Sequence, residues 1–263
     1  MLQFQRHFLH MKHTGSENDR IIDKTRQKKA AYLLVYKNIF YGIHSKGYTR
    51  REKKHGKTLN NNQVIVAGEI ASDFTFSHEI FGEGFYMVDL VVARLSDTYD
   101  VIPLMVSDRL FDVENSHIGE KVVARGQFRS YNKHEETRNR LILSVFVREI
   151  SVLDDEEDEA ENKPNQIYLD GYICKEPVYR MTPLGREIAD ILLAVNRAYG
   201  KSDYIPCICW GRNARFAGKL KVGEHVAVWG RIQSREYQKR IGNDQIISKT
   251  AYEVSVSKME CLE

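Results

Sequence analysis

Four aromatic residues interleaved with cations, between residues 197 and 240, have the types and spacing of a ligand-binding surface. Tyr204 and Trp210 are six residues apart in a segment of strand-like composition, so their side chains share one face of that strand. Tyr199 comes just before this strand, and Tyr237 ends the next long one. Rings on such a face can stack against flat ligand groups while neighbouring cations neutralise anionic groups. The cations are Arg197, Lys201, Arg212, Arg231, Arg235, Lys239 and Arg240.

Rings and cations in this arrangement predict a site for single-stranded nucleic acid. Unpaired bases have exposed flat faces that gain about 1–3 kcal/mol each by stacking on aromatic side chains, and the phosphates need cations. The alternative is that the rings fill the core of the fold. We favour exposed rings, because Ile205, Cys207 and Cys209 on the opposite face of the same strand already supply an apolar side.

The elements that carry these residues belong to the second of two repeats. Asn62–Ile70 (NQVIVAGEI) returns 103 residues later as Asn165–Ile173 (NQIYLDGYI), and 118–126 (IGEKVVARG) returns as 222–230 (VGEHVAVWG). A repeat of about 100 residues has the size of a domain rather than of a solenoid unit. The sequence therefore predicts a duplicated domain.

Short segments rich in Val, Ile, Leu, Phe and Tyr alternate with turn residues from residue 62 onward, which predicts an all-β chain. In the second repeat we predict a loop over 175–185, a helix near 212–220 and a hairpin tip at 242–244. The predicted strands cover 166–174, 187–196, 204–210, 225–237 and 246–259. Five strands with a short helix between the third and fourth are typical of the OB-fold, a barrel that binds oligonucleotides on one face. The first repeat follows the same plan, so we predict two tandem OB-folds.

Charge and composition divide the chain into four parts. Residues 1–59 are predicted to be a basic N-terminal extension of formal charge +10, partly helical or disordered. Residues 60–153 form the first OB-fold, with a charge of −5, and residues 165–263 form the second, which is basic. Between them, 154–164 is an acidic linker whose seven carboxylates prevent packing. Although the net charge is only +3, the basic ends indicate a polyanionic partner.

The second repeat is similar to the bacterial single-stranded DNA-binding protein family. The resemblance covers 165–260 and depends on the order of several motifs. These motifs are Asn165–Ile173 (Asn-x-x-x-x-x-Gly-x-Ile), Glu176-Pro177, Gly185, 193–197 (LAVNR), 209–214 (CWGRNA), 221–224 (KVGE) and 228–235 (VWGRIQSR). The base-stacking aromatics of the family fall on Tyr199, Tyr204, Trp210 and Tyr237, the residues already selected by their spacing.

The resemblance implies a role and an assembly. Members bind single-stranded DNA without sequence preference and protect it in replication, recombination and repair, so we expect a cytoplasmic, nucleoid-associated protein. Replication or repair proteins are further candidate partners. The family works with four OB-folds together, so two per chain imply a homodimer. Members also end in a flexible tail with an acidic, apolar tip, whereas this sequence ends at Glu263 directly after the last predicted strand, so we do not expect recruitment by that route.

The first repeat departs from the family at the stacking positions. Val101, Ser107 and Lys133 stand where the second repeat has tyrosine, tryptophan and tyrosine. Its glycines are kept while its charge is negative, so we predict a degenerate copy that serves assembly, shielding or contact with another protein. The rings that it could still offer to a ligand are Tyr99, Phe128 and Tyr131.

Other classes of function have weaker support. The first repeat favours one alternative, a protein-interaction OB module such as a primosome or replication accessory factor with little DNA binding of its own. We find no Gly-rich phosphate loop, HExxH or GxSxG motif, and therefore expect neither catalysis nor a cofactor. No metal site is expected, since His7, His10 and His13 lack further ligands, and no apolar stretch is long enough to span a membrane. The four cysteines form no CxxC pair and are expected to be buried thiols.

Overall fold

The computed structural model describes residues 60–94, 96, 98–135, 138–153, 165–241 and 245–263, without the side chains of 133–140 and 239–246. The predictions made for the N-terminal extension, the acidic linker and the hairpin tip lie outside this part of the chain. The described residues form twelve strands and one α-helix of six residues, so the prediction of an all-β chain is confirmed. None of their helices is long and apolar enough to cross a membrane.

Each repeat contributes six strands to one continuous sheet. Those of repeat one are β1 (Asn62–Ile70), β2 (Thr75–Ile80), β3 (Glu83–Ala93), β4 (Tyr99–Ser107), β5 (Lys121–Glu135) and β6 (Arg138–Val152). Those of repeat two are β7 (Asn165–Ile173), β8 (Val178–Met181), β9 (Glu187–Asn196), β10 (Ser202–Trp210), β11 (His225–Ile241) and β12 (Gln245–Cys261). The helix α1 (Arg212–Ala217) lies between β10 and β11.

The strand order is symmetric about the central pair, β1 and β7. From this pair outward, each repeat runs through its first, fifth, sixth, fourth, third and second strands. A further pairing of β1 with β3, and of β7 with β9, closes each repeat into a barrel. β1 and β7 pair antiparallel, from Asn62 opposite Leu169 to Val66 opposite Asn165. This pairing joins two barrels of the same topology into one sheet.

Large apolar side chains on the inner faces of the strands form the cores. Those that are fully buried include Val64, Leu90, Ile102, Leu104 and Phe128 in repeat one and Leu169, Leu193, Ile205 and Ile232 in repeat two. The free thiols of Cys207 and Cys209 are also buried, as predicted, whereas the prediction is wrong for Cys261, which is exposed near the end of β12, and Cys174 is only partly buried. Burial raises the pKa of the Cys209 thiol to about 12, so this cysteine is a neutral core residue at pH 7.

A glycine in each barrel permits a β-bulge where two long strands cross closely. The pairing register shifts between Arg125 and Gly126 of β5 and between Trp229 and Gly230 of β11, and the extra residue of each bulge lies on the partner strand, β6 or β12. A Cβ atom on Gly126 would lie 2.1 Å from the carbonyl oxygen of Phe146, and one on Gly230 would lie 2.2 Å from that of Ser255. These distances leave no room for a side chain, so glycine is required for β6 and β12 to approach.

The two repeats differ in how they connect their strands. The predicted helix is present in repeat two as α1, whereas the equivalent segment of repeat one, 108–120, consists of turns and contains no helix. There the Asp112 carboxylate accepts hydrogen bonds from the Glu114 backbone N–H at 3.1 Å and from the Asn115 side-chain amide at 2.7 Å. Such local bonds stabilise a turn in competition with a helix.

One strand lies where the sequence predicted a loop. The segment 175–185 contains β8, which pairs with the edge of β9 from Val178 opposite Asp190 to Met181 opposite Glu187. All four residues of β8 are exposed. A strand with no buried face has no alternation of apolar and polar residues, so its sequence resembles that of a loop.

Two buried aspartates connect the barrels in a reciprocal way. Asp203 of β10 accepts a hydrogen bond from the backbone N–H of Ser130 in repeat one at 2.5 Å, and the Oγ atom of Ser130 accepts one from the N–H of Tyr204 at 2.7 Å. In the same way Asp100 of β4 accepts a hydrogen bond from the N–H of Ser234 in repeat two at 2.7 Å. Each barrel thus orients the strand that would carry the other's binding face.

Arginines neutralise both buried carboxylates. Arg197 donates to both oxygens of Asp203, and Arg94 donates to both oxygens of Asp100. Asp100 also accepts a hydrogen bond from Arg231 of repeat two at 3.0 Å. Because a buried carboxylate without a partner is strongly destabilising, these arginines hold the interface between the barrels together.

Candidate nucleic-acid interface

Strand β10 presents the central rings of the predicted site. Tyr204 and Trp210 lie on its outer face, 45% and 40% exposed, while Ile205, Cys207 and Cys209 are buried on the inner face. The prediction of outward rings over an apolar inner face is therefore confirmed for this strand. Six residues of extended chain span about 20 Å, so the two rings are placed to contact different parts of a long ligand.

The other two predicted rings lie on separate elements. Tyr199 is in the turn Ala198–Gly200 between β9 and β10, where it is fully exposed and has a φ of 62°. A positive φ is uncommon for a bulky residue, and here it occurs in a turn that leaves the ring in solvent. Tyr237 lies on β11 opposite Lys249 and is 38% exposed. All four predicted rings are thus accessible to a ligand.

A groove of about 270 Å³ lies beside Trp210. It is lined by Trp210, Arg231, Gln233, Ser234, Arg235 and Ser255 of repeat two and by Arg94 of repeat one. Strand β12 separates β10 from β11 in the sheet, so Ser255 of β12 lies between the tryptophan and the arginines. Its small side chain leaves this space open, and the structure thereby brings an exposed ring together with cations.

Four residues that line the groove were not predicted from the sequence: Gln233, Ser234, Ser255 and the cation Arg94. Arg94 belongs to repeat one, where only aromatic rings were named as candidates, but it stands 103 residues before Arg197. The repeat spacing is therefore a signal that could have identified it. Since its guanidinium group is bound to Asp100, Arg94 contributes mainly by fixing the wall of the groove.

Two arginines of the predicted site have partners inside the protein. Arg197, with 28% of its side chain exposed, is bound to Asp203. Arg231, with 38% exposed, is bound to Asp100 and lies in the groove. The charge of Arg197 is compensated by a buried carboxylate, so we interpret it as a residue that positions β10. Arg231 combines a structural contact with an exposed edge.

The remaining predicted cations are more accessible. The side chain of Arg235 is 60% exposed, and its Nε atom lies 3.9 Å from a Glu253 oxygen, which is a weak ion pair. Lys201 and Arg212 are exposed, and within the described ranges no carboxylate lies within 4.0 Å of either. The side chains of Lys239 and Arg240 lie outside the described residues.

In repeat one the position equivalent to Trp210 is closed, and the position equivalent to Tyr204 is partly closed. Ser107, which replaces Trp210, is 3% exposed and donates a hydrogen bond to Glu83 at 2.6 Å. Val101, which replaces Tyr204, is half-buried. The side chain of Lys133 lies outside the described residues.

The three further rings of repeat one have different environments. Phe128 is completely buried in the core, so the expectation that it could offer a ring to a ligand is wrong. Phe128 lies on the same face of β5 as the buried Val122 and Ala124, because side chains in a strand alternate with a period of two. Tyr99 and Tyr131 are 65% and 43% exposed and remain accessible.

Carboxylates near the site are used in ion pairs. Asp190 is bound to Arg180 at 2.7 Å, and Asp203 to Arg197. In the part of the chain that the structure describes, no group of three or more His, Cys, Asp or Glu side chains could hold a metal ion. The histidines at positions 7, 10 and 13 lie outside that part.

The second repeat is similar in sequence to known proteins. Residues 164–262 match the single-strand binding protein family. The single-stranded DNA-binding protein A of Bacillus subtilis is 34% identical over 106 residues, which are 38% of this chain and 59% of that protein. The single-stranded DNA-binding protein 2 of Listeria innocua is 34% identical over 96 residues, which are 34% of this chain and 60% of that protein. The chain therefore spans about 60% of the length of these relatives.

Solved structures resemble both barrels together. The wild-type single-stranded DNA binding protein from Thermus aquaticus has a TM-score of 0.55 and 18% identity, over 77% of this chain and 93% of that chain. A deletion mutant of the same protein has a TM-score of 0.57 and 17% identity, over 77% of this chain and 94% of that chain. These similarities confirm the predicted arrangement of two OB-folds.

Proposed function

We propose that this chain, whose residues 164–262 match the single-strand binding protein family, binds single-stranded DNA without sequence preference. The observation that carries the proposal is the exposed Trp210 ring beside a groove lined by Arg231 and Arg235. A ring next to cations matches the alternation of bases and phosphates in an unpaired strand. The family match and the names of the relatives support DNA binding over the alternative of a protein-interaction module.

The strand would follow the outer face of repeat two. Tyr204 and Trp210 stack bases at two places about 20 Å apart along β10, and Tyr199 adds a ring at the start of that strand. Arg235 and the exposed edge of Arg231 neutralise phosphates that lie beside Trp210. Stacking uses the flat face that every base has, so the affinity is insensitive to sequence.

The same proposal extends to the role of the whole protein. Binding by stacking and charge needs no catalysis and no cofactor, and its use is to protect single strands during replication, recombination or repair in the cytoplasm, at the nucleoid. Two barrels are already joined within one chain by β1 and β7. A homodimer would therefore supply four OB-folds, which a solution mass of twice that of one chain would support.

Titration of the full chain with a fluorescein-labelled oligo-dT and with a matched duplex tests the proposal. We expect the single strand to bind, with an affinity that falls steeply between about 50 and 200 mM salt because counterions are released. The duplex should bind much more weakly, since its bases are not free to stack. No binding of oligo-dT at low salt, or equal affinity for the duplex, would contradict the proposal.

A further inference from the structure

Repeat one has a large aromatic residue at a place where repeat two has a small one. Phe146 of β6 pairs with Met105 of β4, and Ser255 of β12 pairs with Ile208 of β10. Met105 and Ile208 are equivalent positions of the repeats, 103 residues apart, so Phe146 occupies the place of Ser255. Repeat one therefore lacks the tryptophan at the end of its fourth strand and has a phenylalanine on its sixth.

The ring of Phe146 holds two guanidinium groups. The Cζ atom of Arg129 lies 4.0 Å from its centroid, and that of Arg148 lies 5.1 Å from it. The ring of Phe85 stacks against it, with centroids 5.7 Å apart and an interplanar angle of 30°. Cation–π contacts of this kind orient the guanidinium groups. Since Phe85 and Arg129 already lie against the Phe146 ring, this ring positions cations instead of stacking a base.

Among the described residues these two arginines form no direct ion pair, although the Asp203 carboxylate partly offsets the charge of Arg129. Arg129 donates one hydrogen bond, to the side-chain oxygen of Gln127 at 2.8 Å, and its Nε atom is buried without a partner in the structure. Among the described residues no carboxylate lies within 4.0 Å of Arg129 or Arg148. Burial, and then the charges of Arg197 and Arg148, lower the pKa of Arg129 to about 10, so it is still charged at pH 7.

The two barrels place these groups at equivalent positions. Arg129 of β5 stands where Gln233 of β11 lines the groove beside Trp210, since Gln127 pairs with Phe146 as Arg231 pairs with Ser255. Tyr131, two residues further along β5 than Arg129, is 43% exposed and stands where the groove of repeat two has Arg235. The outer face of repeat one thus has a cationic cluster at the same place as the groove of repeat two.

We propose that Arg129 and Arg148, held on the Phe146 ring, form a second site on repeat one that binds phosphate groups of the same single strand that repeat two stacks. The inference depends on the proposed function of repeat two. A phosphate oxygen accepts hydrogen bonds from the exposed guanidinium group of Arg148 and offsets the repulsion among Arg129, Arg148 and Arg197. Repeat one, although acidic overall, then guides the strand by charge while repeat two holds its bases.

The double substitution R129Q/R148Q in the full chain tests this site. We expect its affinity for a long oligo-dT at low salt to fall about tenfold or more, and the slope of log K against log salt to become shallower by about 1.4, the value for two lost contacts with single-strand phosphates. A short oligo-dT that reaches only repeat two should bind with nearly unchanged affinity. The charge-preserving R129K/R148K should retain most of the affinity for the long oligonucleotide.

The matched control is R109Q/R125Q, which removes the same charge from the same repeat. These arginines are already paired, Arg109 with Glu83 and Arg125 with Glu149, both at 3.5 Å. We expect wild-type affinity and slope from the control. Equal effects in both double variants, or an unchanged slope in R129Q/R148Q, would overturn the inference.

The two proposals fail in distinguishable ways. If the wild-type chain does not bind oligo-dT, the proposed function fails, and if it binds while R129Q/R148Q behaves like wild type, only the second site fails. Thermal melting of each variant checks its folding. If the double variant unfolds, R148Q alone provides the test, because Arg148 is exposed. The slope of log K against log salt for R148Q should then become shallower by about 0.7.

Discussion

Repeat two has an exposed tryptophan at the end of β10 and a serine beside it on β12, whereas repeat one has a buried serine at the end of β4 and a phenylalanine beside it on β6. The backbones around these positions are equivalent in topology, bulge and register. The difference shows how the placement of the large side chain decides the surface. Trp210 beside the small Ser255 leaves an open groove next to an exposed ring, whereas Phe146 fills the equivalent space in repeat one and holds two arginines. A shared scaffold thus carries two surfaces of different chemistry.

The largest expected effect concerns the buried aspartate that each repeat contributes to the contact between the barrels. D203A leaves Arg197 partly buried without its carboxylate, and D100A does the same to Arg94 and Arg231. We expect each substitution to lower the free energy of unfolding by about 3–5 kcal/mol, measured by urea denaturation of the full chain. D190A is the control, because the pair of Asp190 with Arg180 is exposed and should contribute less than about 1 kcal/mol. A large loss in only one of D203A and D100A would show that the scaffold is not symmetric.

The next largest effect concerns the stacking positions, at which the two repeats differ. W210A and Y204A should each weaken the binding of oligo-dT by about 1–3 kcal/mol, measured by fluorescence anisotropy, because each removes an exposed ring. The matched variants S107A and V101A should bind as the wild-type chain does. Similar losses from both pairs would mean that the outer faces of the two repeats bind bases alike.

Introducing a tryptophan at position 107 of repeat one tests whether the two repeats differ only in this side chain. Ser107 is buried and hydrogen-bonded to Glu83, so S107W should overfill its site and lower the free energy of unfolding by about 1–3 kcal/mol. Anisotropy should show no gain in affinity for oligo-dT. If S107W were as stable as the wild-type chain and bound more tightly, the position would be open, and the loss of tryptophan would be the whole difference between the repeats.

The smallest expected effect distinguishes the roles of two arginines of the predicted site, Arg235 and Arg197. R235Q removes an exposed cation of the groove, so it should weaken binding to all sequences equally and make the salt slope shallower by about 0.7–1. R197Q leaves Asp203 without its arginine, so it should mainly lower the midpoint of urea unfolding. The interpretation of Arg197 would be wrong if R197Q changed the salt slope and left the unfolding midpoint unchanged.

Much of the fold could be predicted because its signals are local. The alternation of buried and exposed residues in β10, and the repetition of Asn62–Ile70 as Asn165–Ile173, depend only on residue order. The helix expected in repeat one failed because the side chain of Asp112 stabilises a turn there. That error comes from a contact that composition and periodicity do not encode. Phe128 was misjudged although it continues the inward alternation of Val122 and Ala124 in β5, which is a local signal.

The sequence by itself determined the duplication, the all-β class and the outward face of Tyr204 and Trp210, because side chains in a strand alternate with a period of two. Only the tertiary structure decided that Arg197 and Arg231 bind buried aspartates, and that Arg129 and Arg148 meet on Phe146. These contacts join strands far apart in the chain. Their distances depend on the pairing of β1 with β7 and on the closure of each barrel, which no local pattern specifies.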